Sequence, residues 1–296
     1  MSADGPLLSW EVGPVRIIRV EEVVTPVPWS SIIPDCTTDI VDACRPWIDP
    51  FVSSSGSHLL LSVHSFVIVT PETTIVVDTC VGESDHPLPT DPTFADRLDA
   101  AVDGGLDAVD VVVCTHLHFD HVGWNTVDRD GEMVPRFANA RYLVSADEMA
   151  ATRADDHHDV LPESIDPLIT AGVLDEVAMD HRVDPWVRLI PTPGHSVGHV
   201  SVMVETDQGL AAITGDAAHS PLQFAHPELH APSFDADSSL AESTRHTLVS
   251  TWADDVLVLG THFAPPTAGR IRLGDDSALF EQVDQTQLVA QGRTDR

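Results

Sequence analysis

Val109-Asp110-Val111-Val112-Val113-Cys114-Thr115-His116-Leu117-His118-Phe119-Asp120-His121-Val122-Gly123 decides the fold. Its first half is a run of β-branched and apolar residues with little alternation. Such a run reads as a strand covered on both faces. Its second half places three histidines and an aspartate within six positions. Imidazole nitrogens and a carboxylate, with no thiolate among them, suit zinc or another borderline divalent ion.

Working outward, the same arrangement recurs along the chain. Residues 186–190 read as a strand, and Pro193-Gly194-His195-Ser196-Val197-Gly198-His199 as a turn presenting His195. Residues 200–205 and 210–214 form a hairpin across Asp207-Gln208-Gly209, ending at Gly215-Asp216. Residues 256–259 are a further apolar strand that runs into Gly260-Thr261-His262. Upstream, residues 57–70 and 73–79 pair through Pro71-Glu72, and Asp78 lies near the end of the second strand. A layered α/β protein gathers residues that follow strands onto one rim, so the recurrence argues for a shared site.

The remaining segments fill in the domain. Residues 15–24 suit an early strand. Residues 25–50, with five prolines and Trp29 and Trp47, form an excursion that either walls a pocket or covers a sheet edge. Residues 125–135 and 223–234 are the other expected pocket walls. An amphipathic helix spans 93–102, with Phe94, Leu98 and Ala101/Val102 on one face and Gly104-Gly105 as its stop. A strand at 140–144 leads into a helix from Ala146 toward His157-His158, a pair read as solvated surface. Ser239-Leu240-Ala241-Glu242 reads as a capping box opening a helix with Leu240, Leu248, Val249 and Trp252 inward. His199 reads as structural, Phe263 as a pocket wall, and Trp124 as either wall or core. From Asp275 the sequence turns polar, giving an expected single domain over 1–275 and a frayed tail over 276–296.

Bulk properties narrow the partners. The chain has 296 residues, with 47 Asp+Glu against 15 Lys+Arg, all of them arginine, for a net charge of -32. Such acidity repels phosphate backbones and anionic membranes, which disfavours nucleic-acid and membrane partners. Cys36, Cys44, Cys80 and Cys114 show no close-spaced framework, and residues 1–14 lack a basic start and an apolar core. Both features fit a reduced, cytoplasmic setting. No apolar stretch is long enough to span a bilayer.

The set His116-x-His118-x-Asp120-His121, then His195, Asp216 and His262, resembles the metallo-β-lactamase-fold metallohydrolases over roughly residues 15–274. The resemblance implies an α/β protein built as a four-layer αβ/βα sandwich with a two-metal site on its rim. His116, His118 and His195 would hold one ion, Asp120, His121 and His262 the second, with Asp216 bridging. Zn2+ is the expected ion, and Asp78 matches the superfamily's leading aspartate, expected behind a metal-bound histidine. Aspartate at 216, where the β-lactamases carry Cys or Ser, argues against a β-lactam substrate. His118 departs from the flavodiiron proteins, which place a glutamate there. The run Gly215-Asp216 through His219, Gln223-Phe224, Pro227, Asp235, Ala241 and Arg245 is similar to the methyl parathion hydrolase and quorum-quenching lactonase branch. Lactonases there often carry a tyrosine three positions after the bridging aspartate. Here His219 occupies that place, and Tyr142 lies elsewhere in the sequence.

The implied activity is hydrolysis of a lactone, carboxylic ester or phosphotriester by a metal-bridging hydroxide. Asp120 and His219 are the expected catalytic residues, Asp120 for the hydroxide and its proton, His219 as a donor to the developing oxyanion. A small molecule is the expected partner, and a homodimer is compatible with the sequence. Two other activities draw on similar ligand sets: a mononuclear-iron oxidoreductase of the persulfide-dioxygenase type and a glyoxalase II-type thioesterase. The thioesterase usually has a basic, helical C-terminal extension, and here the chain ends about where the core does.

Overall fold

Apolar strands and short helices alternate along the chain, and the computed structural model describes residues 7–83, 88–155, 160–274 and 277–283. The first sheet begins with β1 (Leu8–Val12), β2 (Val15–Pro28), β3 (His58–Val69), β4 (Thr74–Val77) and β5 (Val111–Val113). A separate hairpin of β6 (Thr126–Arg129) and β7 (Glu132–Pro135) follows, and β8 (Arg141–Ser145) and β9 (Leu174–Val177) then complete that sheet. The second sheet is hydrogen-bonded in chain order: β10 (Val187–Pro191), β11 (Val200–Thr206), β12 (Gly209–Ile213), β13 (Val256–Leu259), β14 (Ala268–Leu273) and β15 (Ala278–Gln282). The helices are α1 (Trp29–Ile32), α2 (Thr38–Ala43), α3 (Phe94–Ala101), α4 (Phe119–Val122), α5 (Ala146–Ala154), α6 (Asp166–Ala171), α7 (Leu222–Ala225) and α8 (Ser238–Trp252).

Side-chain alternation along the strands makes four layers. Ile17, Ile68, Val77 and Val113 point inward and pack against Val202, Val204, Ile213 and Leu259 of the other sheet. Their neighbours Ile18, Val67, Val76 and Val112 point outward, where Phe94 and Leu98 of α3 and Leu168 of α6 cover them. On the far side, Met203, Ala212 and Val258 meet Leu248 and Trp252 of α8. The strands are buried on both faces, which explains their nearly unbroken apolar runs. The αβ/βα sandwich expected from the sequence is the one observed.

Strand direction gathers the site. β4, β5, β8 and β9 are mutually parallel, and so are β12 and β13. β10 and β12 flank β11 antiparallel, so those two also run the same way. The chain therefore leaves β4, β5, β10, β12 and β13 toward a common rim, as layered α/β proteins require.

Four expectations need correction. The segment expected as frayed tail contains β15, whose Phe280 is fully buried against Phe51, Phe224 and Phe263, so apolar packing outweighs the polar residues around it. The cap of α8 is Asp237, which accepts Leu240 N at 3.0 Å, rather than Ser239. Leu240 is consequently exposed on that helix, and Ala241, Arg245, Leu248 and Trp252 form its buried face. Phe263 belongs to the aromatic core, edge-on to Phe51 at 6.0 Å, and is not a pocket wall.

The excursion at 25–50 is mostly cover: Trp29, Ile32, Ile33, Cys36, Val41, Cys44 and Ile48 are buried in the core beneath the second sheet. Trp124 is also core, donating its Nε1–H to buried Glu22 at 2.8 Å. His157 and His158 lie outside the described residues.

Candidate metal centre

The loop after β5 begins with Thr115, whose N–H and hydroxyl both bond the Asp78 carboxylate at 2.8 Å. His116 follows in a bend and His118 in extended backbone, and α4 then turns Asp120 and His121 back toward the same point. The second sheet contributes one residue per strand end: His195 after β10, Asp216 after β12 and His262 after β13. These side chains fall into two groups. Potential ligand atoms of His116, His118, His195 and Asp216 all lie within 4.8 Å of one another, and so do those of Asp120, His121 and His262.

Asp216 stands between the groups. Its Oδ2 lies 3.4 Å from His195 Nε2 and 3.9 Å from His116 Nε2. Its Oδ1 lies 3.3 Å from His121 Nε2, and His262 Nε2 faces both oxygens, 3.1 Å from Oδ1 and 3.2 Å from Oδ2. Asp120 spans the second group, 3.8 Å from His121 Nε2 and 3.7 Å from His262 Nε2. The structure thus brings together all seven residues expected as ligands. It adds His219, whose Nε2 is 3.2 Å from Asp216 Oδ2 and whose ring stacks on His262 at 5.7 Å.

Contacts behind the rings decide which nitrogen faces inward. His121 donates Nδ1–H to Asp78 Oδ2 at 2.8 Å, and His262 donates to the Ser62 carbonyl at 2.8 Å. His195 donates to Asp235 Oδ1 at 3.3 Å, and His116 Nδ1 lies 3.1 Å from the Thr115 hydroxyl. In each case Nε2 is left with its lone pair toward the centre, the arrangement that metal-binding histidines need. Asp78 occupies the place expected of it.

Electrostatics divide the rings: burial favours the neutral form of His116 and His195, and the carboxylates favour charge on His121 and His262. Burial pushes the pKa of His116 well down, with His121 and His118 adding to the shift, and pushes His195 down to about 3. Burial also disfavours a charged His121, but the carboxylates of Asp216, Asp78 and Asp120 outweigh it and raise its pKa well above normal. Asp216 shows the converse: burial opposes its charge, yet His262, His121, His195 and His219 hold its carboxyl well below the usual range.

The donor set fits divalent cations. His116 Nε2, His121 Nε2 and Asp216 Oδ1 are buried without a hydrogen-bond partner, a costly state for polar atoms unless a cation satisfies them. Neutral imidazoles and carboxylates without thiolate match zinc and its borderline neighbours.

Sequence reading missed part of the support. His199, read as structural, accepts the backbone N–H of Asp216 on Nε2 at 2.8 Å while its Nδ1 faces the Thr192 carbonyl at 3.0 Å. The turn is tight: Gly215 has φ +54°, and a Cβ there would lie 2.5 Å from His199 Nε2. Asp235 carried no local signal of its contact with His195, forty residues away. Tyr142 lies in the core of β8, donating to the Asn125 carbonyl at 2.9 Å.

Fold and site together define a class, the αβ/βα sandwich with a His/Asp cluster on its rim. Residues 59–262 match the metallo-beta-lactamase superfamily model, and the chain belongs to that superfamily. An N-acyl homoserine lactonase of Bacillus cereus is 31% identical over 135 residues, 45% of this chain and 48% of that protein. A homologous lactonase of Bacillus thuringiensis is 32% identical over the same length. The chain thus matches about half the length of these curated relatives. Among solved structures, the hydrolase AbOPH of the beta lactamase superfamily superposes with TM-score 0.79 at 20% identity, covering 95% of this chain and 99% of that one. AidC, a dizinc quorum-quenching lactonase in complex with a product, superposes with TM-score 0.77 at 17% identity, covering 94% and 97%. At these identities the structural matches establish the fold. Among the described residues no helix is long and apolar enough to cross a membrane.

Proposed function

We propose that this chain is a dinuclear metal-dependent hydrolase acting on the strained or activated ester of a small molecule, a lactone foremost, with carboxylic esters and phosphotriesters as the wider class. One observation carries the reading: Asp216 stands between two ligand groups, its Oδ2 toward His116 and His195, its Oδ1 toward His121, and both oxygens within 3.2 Å of His262 Nε2. A carboxylate so placed would be shared by two ions, and Asp120, His121 and His262 form a second group that a single-ion enzyme does not need. The lactonase relatives support the substrate class.

His116, His118, His195, Asp120, His121, His262 and Asp216 would hold two divalent cations, zinc being the simplest choice, which would supply Lewis acidity and a water acidified toward neutrality. The chain's own groups do the rest. Asp120 is the partly exposed carboxylate of the second group, placed to orient the attacking water and carry its proton to the leaving oxygen. His219 lies beside the centre and donates to the oxygen of the substrate that gains charge. Phe234, half-exposed beside His219 at 6.2 Å, offers an apolar surface for the substrate's organic part.

Elemental analysis combined with a screen of lactones, esters, thioesters and phosphotriesters tests the proposal. Two ions per chain and turnover of a lactone or ester are expected. One bound iron with oxygen consumption on a persulfide would overturn it.

A further inference from the structure

Glu148 sits in the first turn of α5, on a sequence, Ser145-Ala146-Asp147-Glu148, that has the form of a capping box. Half of that box is made: Ser145 Oγ accepts Glu148 N at 3.0 Å. In the usual arrangement the glutamate reaches back to the N–H of its own cap. Here its carboxylate turns away from the helix instead. Oε1 accepts Leu117 N at 3.1 Å, and Oε2 accepts Ser196 Oγ at 2.6 Å and Gly198 N at 2.9 Å. The side chain is only 3% exposed, so these bonds are shielded from water and charge-assisted.

The three donors are not scattered. Leu117 separates His116 from His118, and Ser196 and Gly198 follow His195. The three histidines of one ligand group therefore sit on two loops, from different sheets, tied by a single carboxylate. Ser145 adds a second tie by donating to the Gly198 carbonyl at 2.6 Å. The approach is close enough that a Cβ on Gly198 would lie 2.1 Å from Glu148 N. No hydrogen bond of Glu148 goes to the loop residues Asp120 or His121, or to His262.

We propose that Glu148 is a positioning residue for the His116/His118/His195 subsite alone, fixing the spacing between the two loops so that the three imidazoles converge on one cation. This rests on the two-ion reading above. The isosteric Glu148→Gln variant exposes the role. Leu117 N–H and Gly198 N–H meet different carboxylate oxygens, so whichever way the amide turns, its NH2 faces a backbone donor.

The test is zinc affinity measured by chelator competition in two backgrounds. His262→Ala impairs the second group and leaves the Glu148-supported one; His118→Ala does the reverse. Glu148→Gln should weaken zinc about 10–100-fold in the His262→Ala background, the range seen for groups that orient ligands, and leave the His118→Ala background unchanged. Ser196→Ala, which removes one donor and keeps the carboxylate, should weaken the same subsite by a smaller factor and covers the case of a misfolded Glu148→Gln. Equal weakening in both backgrounds, or none in either, would overturn the proposal. A parent protein that takes up fewer than two zinc ions overturns the dinuclear reading itself, a result distinct from both.

Discussion

The two halves of the rim are built by different means. The first sheet supplies four ligand candidates from one loop, residues 116–121, where a bend, the extended His118 and then α4 set their spacing locally. The second sheet supplies His195, Asp216 and His262 singly, and each is aimed by a group distant in the chain: Asp235, His199 and the Ser62 carbonyl respectively. The compact loop takes its spacing from local backbone and is held as a unit by Asp78 and Glu148. The dispersed set needs a separate support behind each residue, so a substitution behind one ligand in the second sheet should act on that ligand alone.

Substitutions that break or sharpen this contrast can be ranked. Asp216→Ala removes the one group facing both ligand clusters; turnover should fall by roughly 1000-fold or more, given several kcal/mol of lost charge stabilisation. Elemental analysis should find fewer than two ions per chain, and two retained ions with full turnover would remove the basis for a bridging role. His199→Ala frees the backbone of Asp216 without touching a ligand, and should cost about 10–100-fold in metal affinity by chelator competition. Asp235→Asn leaves His195 a weaker acceptor, and a loss of about tenfold in the same assay is expected. Leu248→Ala, in the core under α8, should cost about 2–5 kcal/mol in denaturant unfolding with metal stoichiometry intact. A change in stoichiometry there would mean that the rim depends on the core beyond simple stability.

The contrast also explains what was legible in the sequence. The 116–121 cluster stands out because its members are adjacent. His195, Asp216 and His262 could be found because each follows a strand whose apolar run is itself readable. Their supports could not be assigned: Asp235 stands in the motif run but lies 40 residues from the ring that it orients, and Ser62 lies 200 residues from His262. Glu148 was hidden differently, since an acidic residue in a helix's first turn already has a local explanation. Phe263 and Phe280 were misplaced because periodicity does not say which neighbours an aromatic ring will find. Only the packed cluster with Phe51 and Phe224 decides that.

The tight seat of Gly215 bears on any attempt to reshape this scaffold by directed evolution. A methyl group there would press on His199 on one side and Thr115, at 3.1 Å, on the other, prying the two sheets apart where they meet. Position 215 should therefore stay out of a mutant library. Diversity belongs at Val197, Phe234 and Leu240, whose apolar side chains already project into solvent from the turns around His195 and His219 and from the start of α8.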